Sequence, residues 1–158
     1  MSENWLLYYI TDRTAFPGDD PTRLRRLLEK IAEAARAGVD FIQLREKDLP
    51  ALELESLAGK AVRVVREAGR LGTGQPATRL LINSRTDVAL SVQADGVHLR
   101  GDDVSPPEVR QMWKKYGRGV LTHENPTREP LVAVSCHTQA EVVQAAANGA
   151  TFSVFAPV

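Results

Sequence analysis

The feature that most constrains this chain is a regular alternation of short β-rich apolar runs with amphipathic helical segments. Trp5 to Asp12 (WLLYYITD) is β-rich. Pro21 to Gly38 then sets leucine, isoleucine and alanine at helical spacing, with proline near the start and Gly38 where a C-terminal cap belongs. The same reading predicts further strands over 40–46, 79–83, 95–99, 131–137 and 151–158. It predicts helices over 51–69, 85–93, from Ser105 or Pro106 to Tyr116, and over 139–148. Six strands thus alternate with five helices. Gly72 and Gly74 form a lone G-x-G in a turn-rich connector, and the polar, proline-bearing segment 117–130 is placed on the surface as a mobile loop.

Strict βα alternation implies a parallel sheet covered by helices, either an open doubly wound sheet or a (β/α)₈ barrel. The strand ends favour the barrel. Polar residues gather at many of them, Thr11-Asp12, Arg45-Glu46-Lys47, Asn83, His98 and Ser135 to His137, with Ala156-Pro157 closing the series. A barrel builds its site from every βα loop, whereas a doubly wound sheet concentrates it at one switch point. A barrel takes about 250 residues, and this chain of 158 stops after its sixth strand. The expectation is a single α/β domain over 1–158 of the TIM-barrel family, truncated after the sixth strand. Its first and sixth strands would be open edges, and a homo-oligomer would cover them.

Composition narrows the function. Twenty basic residues balance twenty acidic ones, so no global field recruits nucleic acid or an anionic membrane, while a small anionic ligand remains possible. The single cysteine, Cys136, excludes an internal disulfide or a cysteine metal cluster. No apolar run approaches a membrane span, and the N-terminus has no leader pattern, so the expected location is cytoplasmic.

Within FIQLREKD, Phe41 to Asp48, alternation along a strand puts Gln43, Arg45 and Lys47 on one face, with Ile42 and Leu44 on the other. Something polar must lie opposite that face. An ion pair of Arg45 or Lys47 with Glu46 or another acid is the structural alternative.

Four motifs, QLREKD, LLINSR, ADGVHLRGDD and AVSCHT, follow one another at strand ends. In that order they resemble thiamine-phosphate synthase and its relative the thiazole tautomerase, from about Tyr9 to the last residue. The resemblance implies a transferase of thiamine biosynthesis joining hydroxymethylpyrimidine diphosphate to thiazole phosphate. The pyrimidine CH₂–O bond breaks toward a carbocation, pyrophosphate leaves with the help of magnesium, and the thiazole nitrogen captures the cation. Small phosphorylated substrates follow.

The resemblance assigns Gln43, Arg45 and Asn83 to the pyrimidine diphosphate and Ser135 to the pyrophosphate. Arg45 and Lys47 suit a leaving diphosphate, arginine as a planar fork and lysine as a point charge. Asp103 matches one magnesium-binding aspartate, but Ser84 stands where the other is expected; either Asp102 compensates or the site holds no metal. His137 is a proton-transfer candidate of the tautomerase kind. Structural alternatives stand beside these roles: Asn83 capping the following helix, Asp102 and Asp103 as a solvated loop before a Ser105 cap, His137 as a satisfied structural histidine, and His98 and Cys136 as core. A non-catalytic homologue binding a phosphorylated ligand or a partner protein is a further possibility. The family's lysine loop after strand six and its glycine-rich loops after strands seven and eight have no counterpart in this sequence.

Overall fold

The computed structural model describes residues 5–71, 77–117 and 129–155. The Gly72/Gly74 connector, most of segment 117–130 and the Ala156-Pro157 end lie outside the described residues. The chain comprises two compact units, Met1–Leu81 and Ile82–Val158.

The first unit holds β1 (Tyr8–Ile10), α1 (Asp20–Arg36), β2 (Phe41–Leu44), α2 (Ala51–Leu71) and the start of β3 (Arg79–Asn83). Strands β1 and β2 run parallel, with Tyr8 opposite Phe41 and Ile10 opposite Gln43. Helix α1 begins where Asp19 accepts a hydrogen bond from the Thr22 N–H at 3.0 Å, and it ends before Gly38, which adopts φ +83°. Only glycine takes that conformation without a Cβ penalty, so the chain turns into β2 there. Leu27 and Ile31, one helical turn apart, are fully buried, and α2 turns a stripe of Leu54, Leu57, Ala58, Ala61 and Val65 inward. The two helices pack against each other.

The second unit holds the end of β3, α3 (Thr86–Ser91), β4 (Gly96–Leu99), α4 (Pro106–Tyr116), β5 (Leu131–Cys136), α5 (Gln139–Ala147) and β6 (Phe152–Phe155). The Ser84 N–H donates to the His98 carbonyl at 2.9 Å, carrying β3 onto β4. Strands β4, β5 and β6 pair in chain order and in parallel, with His98 opposite Ala133 and Ser135 opposite Val154. All four residues of β4 are buried, as expected for a central parallel strand. Helices α4 and α5 each start at a capping box: Ser105 with Glu108, and Thr138 with Glu141.

The alternation expected from sequence is therefore observed, with six strands and five α-helices among the described residues. Strand β3 has the expected bounds, whereas β1, β2, β4 and β5 are shorter than their expected ranges. A further turn of 3₁₀ helix, Arg13–Ala15, follows β1.

Gly96 opens β4, and a Cβ there would collide with the Leu131 backbone carbonyl, which cannot move without breaking the β4–β5 ladder. Gly96→Ala is expected to lower the unfolding free energy by about 2–4 kcal/mol. Gly101→Ala, where a Cβ meets nothing within 4 Å, should change it little. Urea unfolding of the two variants checks this.

Candidate functional site

In the first unit the site residues lie where β1 and β2 end. Strand β2 stops at Leu44. The reading of Gln43, Arg45 and Lys47 as one strand face is therefore corrected. The reason is local chemistry at Thr11. Its hydroxyl accepts the Arg45 N–H at 3.0 Å, intercepting the donor that another ladder step would use, and it donates to Glu46 Oε1 at 2.7 Å.

Glu46 is drawn inward. Its side chain is 2% exposed. Both carboxylate oxygens accept from the Arg13 backbone N–H at 3.2 Å, and Oε2 also accepts from Arg13 Nη1 at 3.3 Å. The Arg13 guanidinium, itself 5% exposed, forks onto Asp48 with bonds of 2.6 and 2.7 Å. A buried carboxylate needs such compensation, because an isolated ionised group in a low-dielectric interior costs several kcal/mol.

Arg45 and Lys47 sit on either side of Glu46 and are exposed. Among the described residues neither side chain has a hydrogen-bond or ion-pair partner. The alternative in which Glu46 pairs with them is thus not the arrangement observed; Glu46 belongs to Thr11 and Arg13. The charge of Arg45 is felt at Asp12. Its carboxyl is held below the usual range mainly by the Thr14 hydroxyl and N–H, with a smaller contribution from the charge of Arg45.

Gln43 lies within β2 and is buried at 2% exposure. Its side-chain carbonyl accepts from the Tyr8 hydroxyl at 3.2 Å. Burial pushes the Tyr8 phenol well above its ordinary value, so it stays a neutral donor.

In the second unit Asn83 ends β3. Its amide donates to Ser84 Oγ at 3.3 Å. It does not cap α3, whose N-terminal flank is Arg85 with no side-chain cap bond. Ser84 takes the left-handed conformation, φ +58°, and its hydroxyl donates to Asp103 Oδ2 at 2.7 Å. The same oxygen accepts the Arg100 N–H at 2.7 Å, with the Arg100 guanidinium 3.7 Å from Asp103 Oδ1. Asp102 is exposed and pairs with Arg100 at 3.4 Å.

These residues do not fit a magnesium ion well. Magnesium demands hard oxygen ligands, above all carboxylates. Here one carboxylate is already engaged by a hydroxyl and an amide, and a guanidinium stands beside it. Among the described residues no group of three His, Cys, Asp or Glu is placed to hold a metal.

Ser135 and His98 come together across β4 and β5, with His98 Nε2 and Ser135 Oγ 2.7 Å apart. His98 is 3% exposed, so it is a core histidine that also holds the Ser135 hydroxyl. Cys136 is fully buried, as its small-core reading predicts. His137 lies past the end of β5, exposed, and its backbone N–H donates to Glu141.

The family model described as thiamine monophosphate synthase matches residues 7–158. The chain belongs to the thiamine monophosphate synthase family. A Geobacter sulfurreducens protein is 41% identical over 152 residues, covering 96% of this chain and 59% of that protein. The thiamine-phosphate synthase of Syntrophomonas wolfei is 32% identical over 158 residues, all of this chain and 63% of that one. Among solved structures, a thiamine phosphate pyrophosphorylase from Pyrococcus furiosus superposes with a TM-score of 0.71 at 24% identity, over 97% of this chain and 60% of that one. That likeness shows the fold, α/β of the TIM-barrel family. The chain spans about three-fifths of the length of these family members.

Two residues central to the family member's first unit were not singled out from sequence, Arg13 as a buried cation and Thr11 as the link between Glu46 and Arg45. The available signal was the polar run Thr11-Asp12-Arg13 directly after an apolar strand.

Arg13→Ala would take the counter-charge from the buried Glu46, leaving it only the Thr11 hydroxyl and the backbone N–H of residue 13, and should cost about 3–5 kcal/mol in denaturant unfolding. Asp48, held by Arg13, has its carboxyl lowered from 3.8 to about 2. A depressed carboxyl contributes stability in full above its unfolded value and loses it as pH falls. Stability should therefore decline between about pH 4 and pH 2, and less steeply in Asp48→Asn, as thermal melts across that window would read.

Proposed function

We propose that this chain is a thiamine-phosphate synthase-type protein whose first unit receives the diphosphate of hydroxymethylpyrimidine diphosphate at Arg45 and Lys47. The observation that carries the reading is the arrangement around β2: two exposed cations without partners among the described residues, flanking a glutamate that faces inward. A diphosphate leaving group needs positive charge where negative charge accumulates. Arginine supplies two parallel donors to phosphate oxygens, and lysine a mobile charge.

Gln43 is proposed to face the pyrimidine, with its amide held by Tyr8. In the second unit, Asn83 offers an amide, and Ser135 a hydroxyl held by His98, as polar groups for the same substrate class. Transfer to thiazole phosphate, with release of pyrophosphate, is the reaction that the family name supports. Because Asp103 is engaged by Ser84 and Arg100, diphosphate binding through Arg45 and Lys47 is proposed without a magnesium requirement.

No helix among the described residues is long and apolar enough to cross a membrane. A cytoplasmic location suits both the proposed small phosphorylated substrates and the free Cys136. Trp5, Leu6 and Leu7, at 80, 62 and 57% exposure, precede an edge strand, and an apolar edge of this kind supports self-association.

Calorimetry with hydroxymethylpyrimidine diphosphate tests the reading. Wild type should bind with and without magnesium, and Arg45→Ala and Lys47→Ala should each weaken binding about 10–100-fold, the value of a lost charge-assisted hydrogen bond. Absence of binding, or binding indifferent to both substitutions, overturns it. Light scattering at high protein concentration should show a species larger than the monomer; a strict monomer would rule out self-association.

A further inference from the structure

The sequence Arg45-Glu46-Lys47-Asp48 alternates cations with acids, and the structure divides them by role. Glu46 and Asp48 are both held by Arg13, while Arg45 and Lys47 are exposed. Each cation therefore has an anchored acid next to it along the chain. The anchors converge on β1 and the turn after it, through Thr11 and Arg13.

Thr11 is the joint of this assembly. One hydroxyl donates to Glu46 Oε1 at 2.7 Å and accepts the Arg45 N–H at 3.0 Å. The Thr11 N–H in turn donates to the Gln43 carbonyl at 3.0 Å. The backbone of Arg45 is thereby tied, through a single oxygen, to a carboxylate that is itself fixed by Arg13. Asp48 pins the chain just beyond Lys47.

We infer that Thr11, Glu46 and Arg13 are positioning residues that hold Arg45 and Lys47 ready for a diphosphate. Long cationic side chains lose rotamer freedom when they bind an anion, and loop ordering adds to the loss. A backbone fixed beforehand removes the loop's share, so the affinity of the two cations depends on groups that never touch the ligand. The inference rests on the reading of Arg45 and Lys47 as diphosphate-binding.

Inorganic pyrophosphate is the probe, titrated calorimetrically into the whole chain well below the melting temperature of every variant. Thr11→Val and Glu46→Gln should each weaken binding about tenfold in the wild-type background, and by less than about twofold once Arg45→Ala is present, since interacting residues are non-additive. Thr11→Ser, which keeps the hydroxyl, should restore the affinity. Thr11→Val carries the test should Glu46→Gln fail to fold. A wild-type chain that ignores pyrophosphate removes the proposed function and this inference together. A wild-type chain that binds, with Thr11→Val unchanged or with losses that simply add to that of Arg45→Ala, removes this inference alone and leaves the network a purely structural one.

Discussion

A carboxylate cannot be taken out of water without donors, and the first unit is organised around that constraint at Glu46. Thr11, the Arg13 backbone and the Arg13 guanidinium all converge on it. Meeting this demand shapes the surrounding backbone. The Thr11 hydroxyl that serves Glu46 also takes the Arg45 N–H, so β2 ends at Leu44, two residues before its expected end. Arg45 and Lys47 are then left on the surface as a consequence of where their neighbour must go. The chemistry proposed for those cations follows from burying the acid between them.

The second unit meets the same physical requirement at two other strand ends. Ser135 is held by the buried His98, and Asp103 by the Ser84 hydroxyl and the Arg100 N–H. Each pair satisfies polar groups at a strand end that would otherwise be costly. At Asp103 this has a chemical side effect. A serine that donates to the remaining aspartate closes one of the oxygens a hard cation would seek, and Arg100 adds positive charge beside it. The result is an acid embedded in the loop after β4.

Much of the fold was legible because it rests on local signals. Pro21 near the start of α1, the glycine after it and the Ser105 cap all lie within a few residues of the helix ends they define. The buried stripes of α1 and α2 follow from helical periodicity alone. Strands β1, β2, β4 and β5 were read too long, since an apolar run continues past the point where ladder bonding stops, while β3 was read with its observed bounds. For the candidate residues, position along the chain was legible, though only partly their arrangement. Gln43, Asn83, Ser135 and Asp103 stand at strand ends or in the loops after them, as read. Arg45 and Lys47 share exposure without sharing a strand face, and Asn83 turns to Ser84 rather than capping α3.

Sequence by itself determined the element order, the helix caps, the apolar faces and the motif set that marks the family, because each depends on neighbours within about one helical turn or one strand repeat. Tertiary structure decided the rest. That Glu46 would turn inward to Thr11 and Arg13, more than thirty residues away, and that His98 would meet Ser135, 37 residues away, are pairings between separate strand ends. No local pattern encodes them, for the partner of a buried polar group is chosen by which donor the fold brings within about 3 Å.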